Sequence, residues 1–256
     1  MEIFFDDIPL QRRQTSVVTW GNFDGMHKGH QALLAKIKAQ ALPNMVVLFD
    51  PHPKHFFKVS THQTLMPLFD KLEYLASLNI DRVLVLSFNQ ELSRMSAHAF
   101  LNSIVKQMMQ AKMIILGEQA SFGADRSGHL GMAYEMGFQV AEVKWLYSKS
   151  KERISSSAIR SYLQTGDIQQ VTEMLGRTWS FRLTIHPQDH TNGYIFQHQL
   201  LSAIQDGRYH VVADDGGNQK SGLLEVSSNG QSKQGSLFLE DFEGLKNVFI
   251  RLIDRG

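Results

Sequence analysis

The sequence contains no cysteine. Disulfides, thiolate nucleophiles and zinc–thiolate centres are therefore excluded, and the absence suits a reducing compartment. No apolar run approaches the roughly 20 residues of a membrane-spanning helix. Met1 to Leu10 carries Glu2, Asp6 and Asp7 and no secretion-signal core. Charge of one sign is also lacking. The 26 basic and 25 acidic residues leave a net charge of +1, which gives no bulk electrostatic support for nucleic-acid binding. The Gly-x-x-x-x-Gly-Lys-Ser/Thr phosphate loop is missing, and so is the Gly-x-Ser-x-Gly elbow of a serine hydrolase. There are no internal repeats. These absences point to a cytoplasmic protein with small-molecule partners and neither membrane nor nucleic acid among them.

At 256 residues, 43% of them apolar, the chain can bury a sizeable core, as one large domain or a domain plus a small one. Its first part alternates short apolar runs with helical periodicity. Val17–Trp20, Met45–Phe49, Val83–Leu86, Met113–Leu116 and Phe138–Val143 read as strands. Gln31–Gln40, Leu65–Leu78, Ser96–Gln110 and Leu130–Met136 read as helices between them. This order predicts an α/β fold with a mostly parallel sheet and helices on both faces. After Ile154–Leu175, which reads as two helices, the helical pattern ends. Phe181–Ile185, Tyr209–Ala213, Gly222–Val226, Ser236–Leu239 and Asn247–Leu252 read as short strands, with Ser227–Gly235 as a flexible turn. We therefore expect a domain over 1–180 and a small antiparallel β-barrel-like domain over 181–256.

The segment Gly21-Asn22-Phe23-Asp24-Gly25-Met26-His27-Lys28-Gly29-His30 carries the strongest chemical signal. It follows a strand and opens a helix, where free backbone N–H groups gather and favour anions. His27 and His30, three residues apart, share one helix face. Gly21, Gly25 and Gly29 let backbone approach a phosphate closely. Asp24 can orient the loop or help hold Mg²⁺. The same residues also suit a simple helix cap with surface histidines. Asp50, His52 and His55 form a second polar cluster, in which a metal site competes with a rigid proline turn at Pro51 and Pro53. Gly117 to Gly128 places Phe122, Gly123 and Arg126 on a loop that can stack on a flat ligand and bind phosphate, or serve as plain surface. Ser155, Ser156, Ser157 and Arg160 suit either an anion grip or a serine-capped helix.

Read in order, these segments resemble the bacterial FAD synthetase family, whose members are usually fused to riboflavin kinase. The resemblance covers about residues 15–180. Gly21 to His30 is similar to the family's nucleotidyltransferase signature. Phe49-Asp50-Pro51-His52-Pro53 resembles its second motif, with Asp50 where glutamate is more common. Gly117 to Gly123, extended by Arg126 and Gly128, resembles the flavin loop, and Ile154–Arg160 the Ile-Ser-Ser-Thr-x-Ile-Arg motif. The resemblance implies a Rossmann-like nucleotidyltransferase domain for FAD biosynthesis, which transfers AMP from MgATP to FMN and releases pyrophosphate. It implies catalytic roles for His27, His30 and Arg160. ATP and its phosphates would meet Gly21, Asn22, Phe23, Asp24, Gly25, Gly29, Ser155, Ser156 and Ser157. The flavin would meet Asp50, Pro51, His52, Pro53, Gln119, Phe122, Gly123 and Arg126. Mg²⁺ would be required, with its protein ligands unassigned.

Two departures stand out. Gln119-Ala120 replaces the usual Asp or Asn followed by Phe, and residues 180–210 lack the Gly-x-Pro-Thr-Ala-Asn motif of the kinase module. We expect a degenerate kinase-like tail without riboflavin kinase activity, serving packing, channelling, self-association or protein contact. Two other readings stay open: a nucleotidyltransferase for another phosphorylated small molecule, and a catalytically weak flavin- or nucleotide-binding regulator.

Overall fold

The computed structural model describes residues 1–59, 63–184, 194–196, 198–229, 232–239 and 247–256. Contacts divide the chain into two compact units, Met1–His62 with Pro67–Leu146, and Gln63–Met66 with Tyr147–Gly256.

The first unit is built on β1 (Glu2–Phe5), β2 (Ser16–Trp20), α1 (Lys28–Lys38), β3 (Asn44–Asp50), α2 (Pro53–Phe56), α3 (Leu68–Ser77) and β4 (Arg82–Ser87). It continues through α4 (Gln90–Arg94), α5 (Ala97–Ala99), β5 (Ala111–Gly117), α6 (Leu130–Glu135) and β6 (Gln139–Val143). The six strands form one parallel sheet in the order β1-β4-β3-β2-β5-β6. Every residue of β2 is buried, as is Asn44–Leu48 of β3. Their unbroken Val/Met/Leu runs thus reflect a sheet covered on both faces. Leu33, Leu34 and Ile37 supply the buried stripe of α1, at the spacing read from the sequence. From β2 the chain steps outward through β3 to β4, then crosses back to β5 and β6 on the other side of β2. This reversal opens a crevice at the carboxyl ends of β2 and β5, the usual ligand position in such sheets.

Two details differ from the sequence reading. β1 was not expected: it is a four-residue edge strand whose half-buried and exposed residues alternate, with Asp6 and Asp7 directly after it. The single helix expected over Ser96–Gln110 is α-helical only across α5. Phe100–Met108 is wound as a π-helix, closed by the Met109 N–H donating to the Ile104 carbonyl at 2.9 Å.

In the second unit, α7 (Ser156–Thr165) and α8 (Ile168–Leu175) each end on a left-handed glycine, Gly166 (φ +76°) and Gly176 (φ +71°). The strands β7 (Ser180–Thr184), β8 (Tyr194–Phe196), β9 (Gly207–Asp214), β10 (Gln219–Asn229), β11 (Ser232–Leu239) and β12 (Asn247–Arg255) follow. They form a curled antiparallel half-barrel sheet in the order β7-β12-β9-β10-β11-β8. Ile159, Leu163, Val171 and Met174 of the two helices share one core with Trp179, Phe181, Tyr209 and Ile250. Ser227–Gly235, expected as a flexible turn, is instead mostly ladder. Val226 to Asn229 pairs with Ser232 to Gly235, because strand pairing satisfies backbone groups that serine and glycine composition alone would assign to a loop. Residues 230–231 and Ile185 lie outside the described residues.

Histidine caps recur along the chain. His27, His52, His129 and His198 each accept, at Nδ1, the backbone N–H of a residue in the first turn that follows: His30 at 3.3 Å, Lys54 at 3.1 Å, Met132 at 3.2 Å and Leu200 at 3.2 Å. Ser, Thr, Asp and Asn are the usual residues for this position. A ring nitrogen that accepts cannot carry a proton, so in each ring the proton of the neutral form sits on Nε2.

Candidate active site

The loop after β2 is tightly folded. Phe23 (φ +47°), Gly25 (φ +80°) and Met26 (φ +47°) all adopt left-handed backbone, which is costly for Phe and Met and natural for glycine. Burial of the Phe23 and Met26 side chains, 1% and 0% exposed, holds them there. The turn delivers His27 to the start of α1 and His30 to its first turn. Their rings stack with centroids 3.6 Å apart and planes 17° from parallel, and Phe23 lies against His30 at 5.0 Å. Asp24 is buried beside them in sequence.

Burial holds the His30 imidazole well below the usual histidine range, and the positive fields of His27 and Lys71 push it the same way. The sign follows. The unfolded chain protonates this ring near pH 6.5 and the folded chain does not. The stability associated with the neutral ring is therefore intact above about pH 6.5 and declines as pH falls toward the folded value. An NMR titration should find His30 still neutral at pH 6, with global stability decreasing below pH 6.5. A His30 ring that charges at the ordinary value would refute this.

A cavity of about 550 Å³ lies at the carboxyl ends of β2, β3, β4 and β5. Gly21 and Asn22 line it from the β2 loop, Phe49, His52, Pro53 and Phe57 from the β3 side, Phe88 from the end of β4, and Ala120 to Ala124 with Arg126 from the β5 loop. Its walls are mainly aromatic. Trp20 meets Phe100 at 5.3 Å and Phe122 at 5.1 Å, both edge-on, and Phe88 meets Phe49, Phe56 and Phe57 edge-on at 5.4–6.0 Å.

Of the residues expected to meet flavin, His52, Pro53, Phe122, Gly123 and Arg126 line this cavity, together with Gly21 and Asn22 of the expected phosphate loop. Asp50, Pro51 and Gln119 do not. Asp50 is exposed and joined to Pro51 by a cis peptide, and Gln119 is an exposed turn residue at φ +58°. Phe122 is not a free stacking platform either. It is 8% exposed, wedged against Trp20 and Phe100, and its backbone pairs with Gly128. It forms a fixed wall. Arg126 is exposed and donates from Nε to Ser121 Oγ at 3.2 Å.

Ser155, Ser156, Ser157 and Arg160 belong to the second unit. Ser155 caps α7 by accepting the Ala158 N–H at 3.2 Å. Ser156 is half-buried and Ser157 exposed. Arg160 is buried and donates from Nε to the Gln63 carbonyl at 2.5 Å. Among the described residues, no group of three or more His, Asp or Glu is placed to hold a metal ion. Asp50, His52 and His55 therefore form no metal centre, and His52 serves as a cap.

The model of the FAD synthetase family matches residues 10–158. The chain belongs to the FAD synthetase family. Among its relatives, the bifunctional riboflavin kinase/FMN adenylyltransferase of Buchnera aphidicola is 34% identical over 64% of this chain and 56% of its own length. The enzyme of that name from Pseudomonas fluorescens is 34% identical over 63% and 54%, and that from Escherichia coli 32% identical over 64% and 55%. The match thus spans little more than half of each of these relatives. A crystal structure of a macrolide-efflux protein from Streptococcus pneumoniae superposes with a TM-score of 0.82 at 22% identity, covering 100% of this chain and 91% of that one. That likeness establishes the fold alone. No helix among the described residues is long and apolar enough to cross a membrane.

Sequence reading missed several residues of this family member's cavity: Trp20, Phe57, Phe88, Leu92 and Met95. Phe88 had a usable signal, since it directly follows a strand as the recognised loops do. Lys71, a buried lysine on α3 whose charge reaches His30, had none beyond its place in an amphipathic helix.

Proposed function

We propose that this chain transfers AMP from MgATP to FMN, forming FAD and pyrophosphate. Family membership supports nucleotidyl-transfer chemistry. The observation that carries the finer reading is the meeting, at one sheet edge, of an aromatic cavity with a helix start bearing two stacked imidazoles. In this reading the isoalloxazine ring occupies the cavity between the Phe88 and Phe122 walls. His27 and His30 act on the ATP phosphates, donating from Nε2 to oxygens that gain charge as the FMN phosphate attacks in line at the α-phosphorus. His27 can offer that proton because its Nδ1 is occupied by the His30 N–H. By their motif, Ser156, Ser157 and Arg160 hold the β- and γ-phosphates and the departing pyrophosphate. A phosphate nucleophile is already ionised, so no strong general base and no covalent intermediate are required. Mg²⁺ belongs to the nucleotide substrate and offsets its charge.

We further assign the transferase module to residues 1–180 and a kinase-like remnant without kinase activity to 181–256, since the residues that would bind Mg-ATP for riboflavin phosphorylation are absent between 180 and 210. The test uses the whole chain with MgATP. FMN should yield FAD with stoichiometric pyrophosphate, and riboflavin should yield no FMN. Failure to adenylylate FMN would sink the first assignment, and FMN formed from riboflavin would sink the second.

A further inference from the structure

The short segment Gln63–Met66, which leads into α3, belongs by its contacts to the second unit. It is neither helix nor strand and carries none of the residues expected to meet substrate. Side chains of α7 and of the stretch after α8 nevertheless hold it closely. Arg160 donates from Nε to the Gln63 carbonyl at 2.5 Å. Gln164, one turn further along α7, donates from Nε2 to Gln63 Oε1 at 3.0 Å. Trp179 donates from Nε1 to the Leu65 carbonyl at 3.2 Å, and Arg177 Nη2 reaches Met66 Sδ at 3.9 Å. Leu65 and Trp179 are both buried, in the core that α7, α8 and the half-barrel share. Irregular segments are ordinarily the loosely held parts of a fold, whereas this one is fastened at Gln63, Leu65 and Met66.

What the fastening secures is Arg160. Its acceptor is a backbone carbonyl, so the guanidinium follows the path of the segment's main chain. Holding Nε sets the plane of the guanidinium. That plane decides whether the Nη ends meet phosphate oxygens in the paired geometry that makes arginine a strong anion ligand. The Gln63 carbonyl is placed in turn by Leu65, two residues on, whose side chain lies in the core and whose carbonyl is held by Trp179. We infer that Gln63 and Trp179 are positioning residues for Arg160: Trp179 fixes the segment, and the Gln63 carbonyl orients the guanidinium for a nucleotide's phosphates. This rests on the adenylyltransferase reading, in which Arg160 holds the β- and γ-phosphates.

Equilibrium binding of MgATP and of FMN to the whole chain, which needs no turnover, tests this in double-mutant cycles. Trp179→Phe keeps an aromatic ring in the core and removes the N–H. Gln63→Gly changes a half-buried residue and frees the backbone that carries the carbonyl. Each should weaken MgATP binding about threefold to tenfold and leave FMN affinity unchanged. In FAD formation each should raise the KM for ATP by more than it lowers kcat. Arg160→Ala should weaken MgATP binding by itself, and in that background neither variant should add a further loss, since the side chain they position is gone. Equal fold losses with and without Arg160 overturn the inference, because both variants would then only loosen the unit. Unchanged MgATP affinity in either folded variant overturns it too, as does a matching loss of FMN affinity or a parent that binds no MgATP. If Trp179→Phe does not fold, the Gln63→Gly cycle decides alone. FAD formation by the parent separates the two levels. A parent that shows the coupling but forms no FAD defeats the adenylyltransferase reading and leaves the positioning of Arg160 intact. A parent that forms FAD without the coupling does the reverse.

Discussion

Replacing His30 by alanine should lower kcat for FAD formation about a hundredfold to a thousandfold, the range seen when one preorganised donor to developing charge is removed. The KM for ATP should move by roughly threefold or less, since the interaction is strongest as charge develops on the phosphates. The size of the effect follows from the setting. The ring packs against Phe23 and stacks on His27, so its N–H is already oriented and partly shielded from water. Water filling the vacated space cannot reproduce that orientation. Pre-steady-state measurement of FAD formation, with thermal unfolding recorded alongside, checks the prediction. A loss appearing mainly in KM, or explained by unfolding at the assay temperature, would show that His30 binds or braces without accelerating the chemistry.

The second large effect is expected at Gly123. Its φ of +83° suits glycine, and a Cβ there would lie 2.6 Å from the backbone nitrogen and 2.9 Å from Cα and Cβ of Ala97. Ala97 is 1% exposed and begins α5, directly before the π-helical segment, so it cannot retreat cheaply. Gly123→Ala combines overpacking with an unfavourable backbone angle and should cost about 2–4 kcal/mol, a fall of roughly 5–15 °C in Tm for the affected unit. Because Phe122 precedes it and walls the cavity, affinity for FMN should fall with stability. Calorimetry and flavin titration read the two effects. An unchanged Tm would mean that the β5 loop is free to shift away from Ala97.

Much of this was legible in the sequence, for reasons that differ by segment. The strand runs at Val17–Trp20 and Met45–Phe49 announced themselves because both sheet faces are covered, so nothing polar interrupts them. The loops at 21–30 and 50–53 were visible because glycine, proline and histidine are unusual immediately after such strands. Side-chain placement was not legible. Gln119 and Phe122 occupy one short loop, yet one faces solvent and the other the core, a difference set by left-handed backbone at Gln119 and the Phe122–Gly128 bridge. The π winding of Phe100–Met108 was hidden because periodicity of apolar residues scarcely separates it from an α-helix over nine positions. Phe88 and Phe57 reach the cavity only through tertiary packing, and β1 exists only by virtue of its pairing with β4.

The imidazole caps have one further consequence. At each of the four helix starts a ring nitrogen fills the place usually held by a hydroxyl or carboxylate oxygen. A hydroxyl keeps its lone pairs at any acidity, but an imidazole loses its acceptor as soon as it becomes a cation. Two of these joints, at His27 and His52, anchor the loops that leave neighbouring strands β2 and β3. A neutral ring is therefore the form that fastens each of these two loops, with Nε2–H left as its donor.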